Sequence, residues 1–100
     1  MKLIYDNLQT LFLLCKKYKV KKLYVFGSIL TSRFNEKSDV DLLVNFNDEI
    51  DYHNYSDNYF DLWDALKKLF DREVDLVDEH SLRNPYFKEE VEETRQLIYE

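Results

Sequence analysis

Asp39 and Asp41 are separated by one residue at the head of the run Asp-Val-Asp-Leu-Leu-Val-Asn-Phe, residues 39–46. Side chains two apart on a strand point the same way, so both carboxylates share one face while Val40 and Leu42 enter the other. Anions held side by side repel. A hard divalent cation that prefers oxygen ligands, magnesium above all, offsets that repulsion. Asp75 sits in a similar setting, Val-Asp-Leu-Val at residues 74–77, and is the candidate third carboxylate from a neighbouring strand. Gly27-Ser28 directly follows the run Leu23–Phe26. Backbone amides and the Ser28 hydroxyl suit phosphate oxygens there, and a glycine permits their close approach. The chemistry this implies is nucleotidyl transfer. Magnesium on Asp39 and Asp41 would polarise the α-phosphate and stabilise the leaving pyrophosphate, while Asp75 binds a second metal or orients and deprotonates the attacking hydroxyl.

Such residues need strands to hold them, and the periodicity predicts the strands. Leu23–Phe26, residues 39–46 and Val74–Val77 are short runs rich in β-branched and aromatic side chains. Ile4, Leu8, Leu11, Phe12 and Cys15, with Leu13 and Leu14 broadening the stripe, predict a well-buried helix from residue 4 to about residue 17. Residues 28–37 suit one or two helical turns followed by a loop. After an acidic, polar stretch at residues 47–58, the apolar positions Tyr59, Leu62, Trp63, Leu66, Leu69 and Phe70 predict another helix, capped by Ser56 or Asp57. Asn84-Pro85 has the form of a helix start, and Phe87, Val91 and Ile98 place a final helix through the last residues. The order α-β-(short α)-β-α-β-α implies an α+β or α/β domain spanning residues 1–100, a small mixed β-sheet with flanking helices.

Composition narrows the classes further. The chain has 100 residues, 14 Lys plus Arg against 20 Asp plus Glu, and a formal charge of −6. That balance is a poor match to direct binding of long nucleic acid through its phosphates. A hydrophobic fraction of 45% fills one modest core. The single glycine rules out both G-x-x-x-x-G-K-[ST] and G-x-G-x-x-G loops. One cysteine, Cys15, excludes an internal disulfide, and with no apolar run near 18 residues a soluble, cytoplasmic chain is expected, with no membrane partner. His53 and His80 are far apart and give zinc no support. The basic cluster Lys16, Lys17, Lys19, Lys21 and Lys22 reads as a solvated helix end and strand entry, and the apolar stripes serve a core or a homo-oligomer equally.

The stretch V-F-G-S-I-L-T-S-R-F-N-E-K-S-D-V-D-L-L-V, residues 25–44, resembles the signature of the DNA polymerase beta-like nucleotidyltransferase superfamily, and specifically its minimal nucleotidyltransferase (MNT) branch. In that pattern a glycine-serine pair is followed about ten residues later by S-D-x-D, with another acidic residue on a later strand. By this resemblance Gly27 and Ser28 bind nucleotide, Ser38 precedes the metal-binding Asp39 and Asp41, and Asp75 is the third carboxylate. The nucleotidyltransferase fold, magnesium and ATP are implied with it. One departure stands out: Thr31 and Ser32 occupy positions where the family often carries arginine and glycine, leaving Arg33 as the candidate phosphate-neutralising substitute. MNT proteins are often encoded beside a helical HEPN protein and act as its antitoxin, in some cases by transferring AMP to a tyrosine of the toxin. The resemblance therefore implies attack of a HEPN tyrosine hydroxyl on the α-phosphate of ATP. The alternative is an antitoxin that masks its partner by binding alone.

Overall fold

The computed structural model describes residues 1–100. Strands β1 (Val20–Phe26), β2 (Val40–Phe46), β3 (Val74–Asp78) and β4 (Gln96–Tyr99) form one mixed sheet in the order β3-β2-β1-β4. β1 is antiparallel to both β2 and β4, whereas β2 and β3 are parallel. A parallel pair needs a crossover, and the helix α3 (Tyr55–Phe70) supplies it. Helices α1 (Lys2–Asp6) and α2 (Leu8–Lys17) precede the sheet in sequence, and α4 (Pro85–Thr94) lies between β3 and β4.

The two-residue period of β2 divides the interior. Val40, Leu42, Val44 and Phe46 join Leu11 and Cys15 of α2 and Leu62, Leu66 and Phe70 of α3 in the main core. On the opposite face Leu43 packs with Phe26 and with Val91 of α4 in a smaller cluster. Asp41 is two residues from Leu43 and shares its side of the sheet. The site residues thus lie on the α4 face, away from the main core.

The outer edge of β3 is covered by polar atoms spaced to match it. Tyr55, Tyr59 and Trp63 recur every four residues on α3, and their partners Asp78, Leu76 and Val74 recur every two on β3. The Tyr55 hydroxyl donates to the Asp78 carboxylate, the Tyr59 hydroxyl to the Leu76 carbonyl, and Trp63 Nε1–H to the Val74 carbonyl at 2.7 Å. Four helical residues rise about 6 Å and two strand residues about 6.6 Å, so the two ladders stay in step over three rungs. Edge carbonyls that would otherwise recruit another strand are occupied. Burial, reinforced by Asp78, raises the Tyr55 hydroxyl's pKa above the ordinary phenol value. Of the tyrosine-rich segment, Tyr55 and Tyr59 thereby serve packing, as Trp63 does, while Tyr52 is exposed.

Several elements depart from the sequence expectation. The first helix is two helices, because the Asn7 side chain bonds back to the Leu3 carbonyl at 2.8 Å and competes with the helical backbone. Leu13, placed in the buried stripe, is 67% exposed. β1 begins at Val20 rather than Leu23, and β2 at Val40 rather than Asp39. α3 starts one residue before Ser56, and neither Ser56 nor Asp57 caps it. Asn84 caps α4 as expected, accepting from the amides of Tyr86 and Phe87. The final helix, however, stops at Thr94, and Ile98 lies in β4, paired through its strand with β1. A strand of four residues is set by its pairing partner, here the free edge of β1, more than by its own periodicity.

Candidate active site

β1 delivers the chain to Phe26, which stands opposite Asp41 in the antiparallel pairing with β2. The next residue, Gly27, has φ +79° and opens a 3-10 turn through Leu30. A Cβ there would press on the Asp41 carboxylate, 3.1 Å from its Cγ. Glycine is needed twice over, for a left-handed backbone and for the room that Asp41 occupies. The Ser28 amide lies near enough to the Asp41 carboxylate to favour its charged form. Thr31 closes the turn, its amide and hydroxyl donating to the Ser28 carbonyl at 2.9 and 2.7 Å. The residue type that departs from the family pattern therefore has a local structural role.

Parallel pairing sets Asp41 directly opposite Asp75. Partial burial, then Asp75, then Asp39 raise the Asp41 pKa, with the Ser28 amide opposing them. Asp39 is exposed at the entrance to β2 and close enough to contribute to that field. The three aspartates do not close into a three-ligand cluster; Asp41 and Asp75 share a cavity whose wall Asp39 does not join. Oxygen donors that destabilise one another as anions fit a hard divalent cation, and Asp41 stands between Asp39 at the strand entrance and Asp75 on the neighbouring strand.

The loop leading to Asp39 is tied down by a residue absent from the sequence expectation. Arg72 donates to the carbonyls of Asn35 and Ser38 at 3.0 and 2.9 Å, and its guanidinium lies over the Phe34 ring, 4.9 Å from the centroid. The Ser38 hydroxyl accepts from the Asn35 amide at 3.0 Å, so its contact is with the loop's own backbone. Arg33 is exposed; its backbone is fixed by Thr31 and Asn35, and its side chain lines neither cavity beside Asp41.

α4 supplies a wall that the sequence reading did not connect to the site. A cavity of about 280 Å³ holds Asp41 and Asp75 against Phe26, Phe87 and Val91. A second, of about 470 Å³, is lined by Gly27, Leu30, Thr31, Glu90, Thr94 and Gln96. The two share Gly27, Glu90 and Thr94. α4 is anchored just past its end by Arg95, which donates to Glu79 at 2.8 Å and lies 4.1 Å over the Tyr24 ring. Asn45 also donates to Glu79, at 2.9 Å. Burial alone would raise the Glu79 pKa, but the hydrogen bonds from Arg95 and Asn45 outweigh it and the net shift is downward.

A mixed four-stranded sheet that places paired aspartates beside a strand-ending glycine-serine turn defines a nucleotidyltransferase. Residues 9–100 match the family described as polymerase beta, nucleotidyltransferase. The chain is 42% identical over 87 residues to MJ0128 of Methanocaldococcus jannaschii, a candidate protein adenylyltransferase, covering 87% of this chain and 83% of that protein. The solved structure of a candidate minimal nucleotidyltransferase superposes with a TM-score of 0.76 at 28% identity, covering 96% and 95% of the two chains. The fold is shared with chains of two toxin–antitoxin structures. One is a complex with AMP-PNP, at TM-score 0.71, 24% identity and coverage of 93% and 73%. The other is the tri-AMPylated Shewanella oneidensis HEPN toxin with its MNT antitoxin, at TM-score 0.65, 23% identity and coverage of 95% and 71%. The protein belongs to the polymerase beta nucleotidyltransferase family, within its minimal nucleotidyltransferase branch.

Proposed function

We propose that this chain transfers AMP from ATP to a tyrosine hydroxyl of a HEPN-type toxin and so acts as the toxin's antitoxin. The observation that carries the reading is the pairing of Asp41 with Asp75 beside Gly27, whose missing side chain leaves room for the Asp41 carboxylate. Similarity to a candidate protein adenylyltransferase, and a shared fold with the MNT partner of an AMPylated HEPN toxin, support the protein acceptor.

Gly27 and the turn that begins at Ser28 receive the phosphate chain of ATP, the turn being held in shape by Thr31. Asp41 and Asp39 hold magnesium; when bound, the ion screens the two anions from each other and withdraws charge from the α-phosphate. Asp75 accepts the proton of the attacking phenol, a role that requires a carboxylate next to the transfer centre. Arg33, on an exposed loop, and Ser38, which shapes the approach to Asp39, act outside the first contacts with nucleotide. A cytoplasmic location goes with this reading, and no helix is long and apolar enough to cross a membrane.

The test is label transfer from α-phosphate-labelled ATP, with magnesium, to a co-purified HEPN partner. Wild type should label the partner, and Asp39→Asn or Asp41→Asn should lower the rate by about 100-fold or more, the scale of a lost metal ligand at a charge-stabilising site. A stable complex with no label would instead establish neutralisation by binding.

A further inference from the structure

The two cavities that meet at Gly27, Glu90 and Thr94 differ in which site residues they reach, and that difference assigns their occupants. The larger follows the turn after Gly27 to Leu30 and Thr31 and reaches neither Asp41 nor Asp75. The smaller contains Asp75 and Asp41, and its remaining wall includes Phe26, Phe87 and Val91. Nucleotide approaching along the glycine-serine turn fills the larger cavity. The acceptor must then arrive from the Asp75 side, through the smaller slot of about 280 Å³, where Phe26, Phe87 and Val91 stand among the carboxylates of Asp41, Asp75 and Glu90, just under the range of about 300–1,000 Å³ typical of pockets for drug-sized ligands. A slot of that size takes one side chain.

Phe87 is the conspicuous member of that slot. It lies on the first turn of α4, where the Asn84 side chain caps its amide at 3.2 Å. Its ring meets Phe26 edge to face, with centroids 6.1 Å apart and an interplanar angle of 72°. Yet 40% of its surface is exposed. An aromatic ring half open beside two carboxylates offers an edge or face to another ring, a geometry that favours aromatic pairs over aliphatic hydroxyl side chains. We propose that Phe87, backed by Phe26, is the specificity-determining residue that seats the acceptor's phenol ring and selects tyrosine over serine or threonine.

This inference rests on the AMP-transfer reading above. In the step it serves, the phenolic oxygen forms a bond to the α-phosphorus, the bond from that phosphorus to the bridging oxygen of pyrophosphate breaks, and pyrophosphate leaves. The phenolic proton passes to Asp75 and then to solvent. Phe87 takes no part in bond making; it holds the ring so that the hydroxyl points toward Asp75.

N-acetyl-tyrosinamide and N-acetyl-serinamide serve as paired acceptors, with α-phosphate-labelled ATP and magnesium, for wild type, Phe87→Leu and Phe87→Ala. Thermal melts confirm folding, and labelling of the co-purified HEPN partner is followed in parallel. Wild type should prefer the tyrosine acceptor. Phe87→Ala should raise its KM about 3- to 10-fold, matching the usual worth of an aromatic pair, with KM for ATP changed less than twofold. Phe87→Leu should lose most of the tyrosine preference while keeping the apolar wall. A rise in KM for ATP with the acceptor KM unmoved would show that the ring holds the nucleotide base and overturn the assignment. Equal use of both acceptors by wild type, with the HEPN partner labelled, overturns this inference alone, whereas no label on any acceptor overturns the transfer reading itself.

Discussion

Asp41 and Asp75 face each other across the parallel pairing of β2 and β3, on the side of the sheet that α4 only partly covers. Partial burial and this neighbour raise the Asp41 pKa above the ordinary carboxylate value. A raised carboxyl pKa means that the folded chain binds its proton more tightly than the unfolded chain. The stabilising contribution is therefore full at low pH and is lost as pH rises from the unfolded toward the folded value. At neutral pH without magnesium, Asp75→Asn should raise Tm by about 2–4 °C, corresponding to roughly 0.5 kcal/mol of relieved repulsion. It should also move the Asp41 titration downward in carboxyl-carbon NMR.

Gly27→Ala should damage stability and activity together. The left-handed backbone costs an L-residue about 1–2 kcal/mol, and the new methyl group presses on the Asp41 carboxylate. Thermal melts should show a loss of about 4–16 °C for a domain of this size, and labelled-ATP transfer should fall at least about tenfold as Asp41 is displaced.

Arg95→Met removes the donor that anchors the end of α4 to Glu79. Hydrogen bonds to charged groups contribute about 1.5–3 kcal/mol, and both side chains are less than one quarter exposed. Denaturant unfolding at pH 7 should show a loss of about 1–2 kcal/mol after allowance for residual solvation. Because the Glu79 pKa is lowered on folding, its contribution is present above the unfolded value and lost as pH falls through the folded one. Wild-type stability should therefore decline through that acid window, and the difference from Arg95→Met should narrow there.

Trp63→Phe keeps an aromatic ring over β3 but removes the donor to the Val74 carbonyl. The expected cost is about 1 kcal/mol, or roughly 4–8 °C in Tm. Hydrogen exchange should quicken along β3 rather than β1, because only the β3 edge loses a rung.

The local features of the site were legible in the chain itself. Period-two alternation around Asp41 and Asp75 identified both strands and the shared face of each carboxylate, since burial of Val40, Leu42, Val74 and Leu76 leaves the intervening residues only the other side. Gly27 and Asn84-Pro85 marked their turns by conformational constraints that belong to one or two residues. Other features depended on pairs distant in sequence. β4 is a strand because the edge of β1 is free beside it, although Phe87, Val91 and Ile98 keep a helical spacing. Arg72 reaches carbonyls 34 and 37 residues away, and no local pattern distinguishes it from a solvated arginine. Phe87 reads as a core position on helical period, but the docking angle of α4 leaves it half open beside Asp75. Periodicity determines which face of an element is apolar; the packing of α4 against β1 and β2 decided which part of that face remained open as a site.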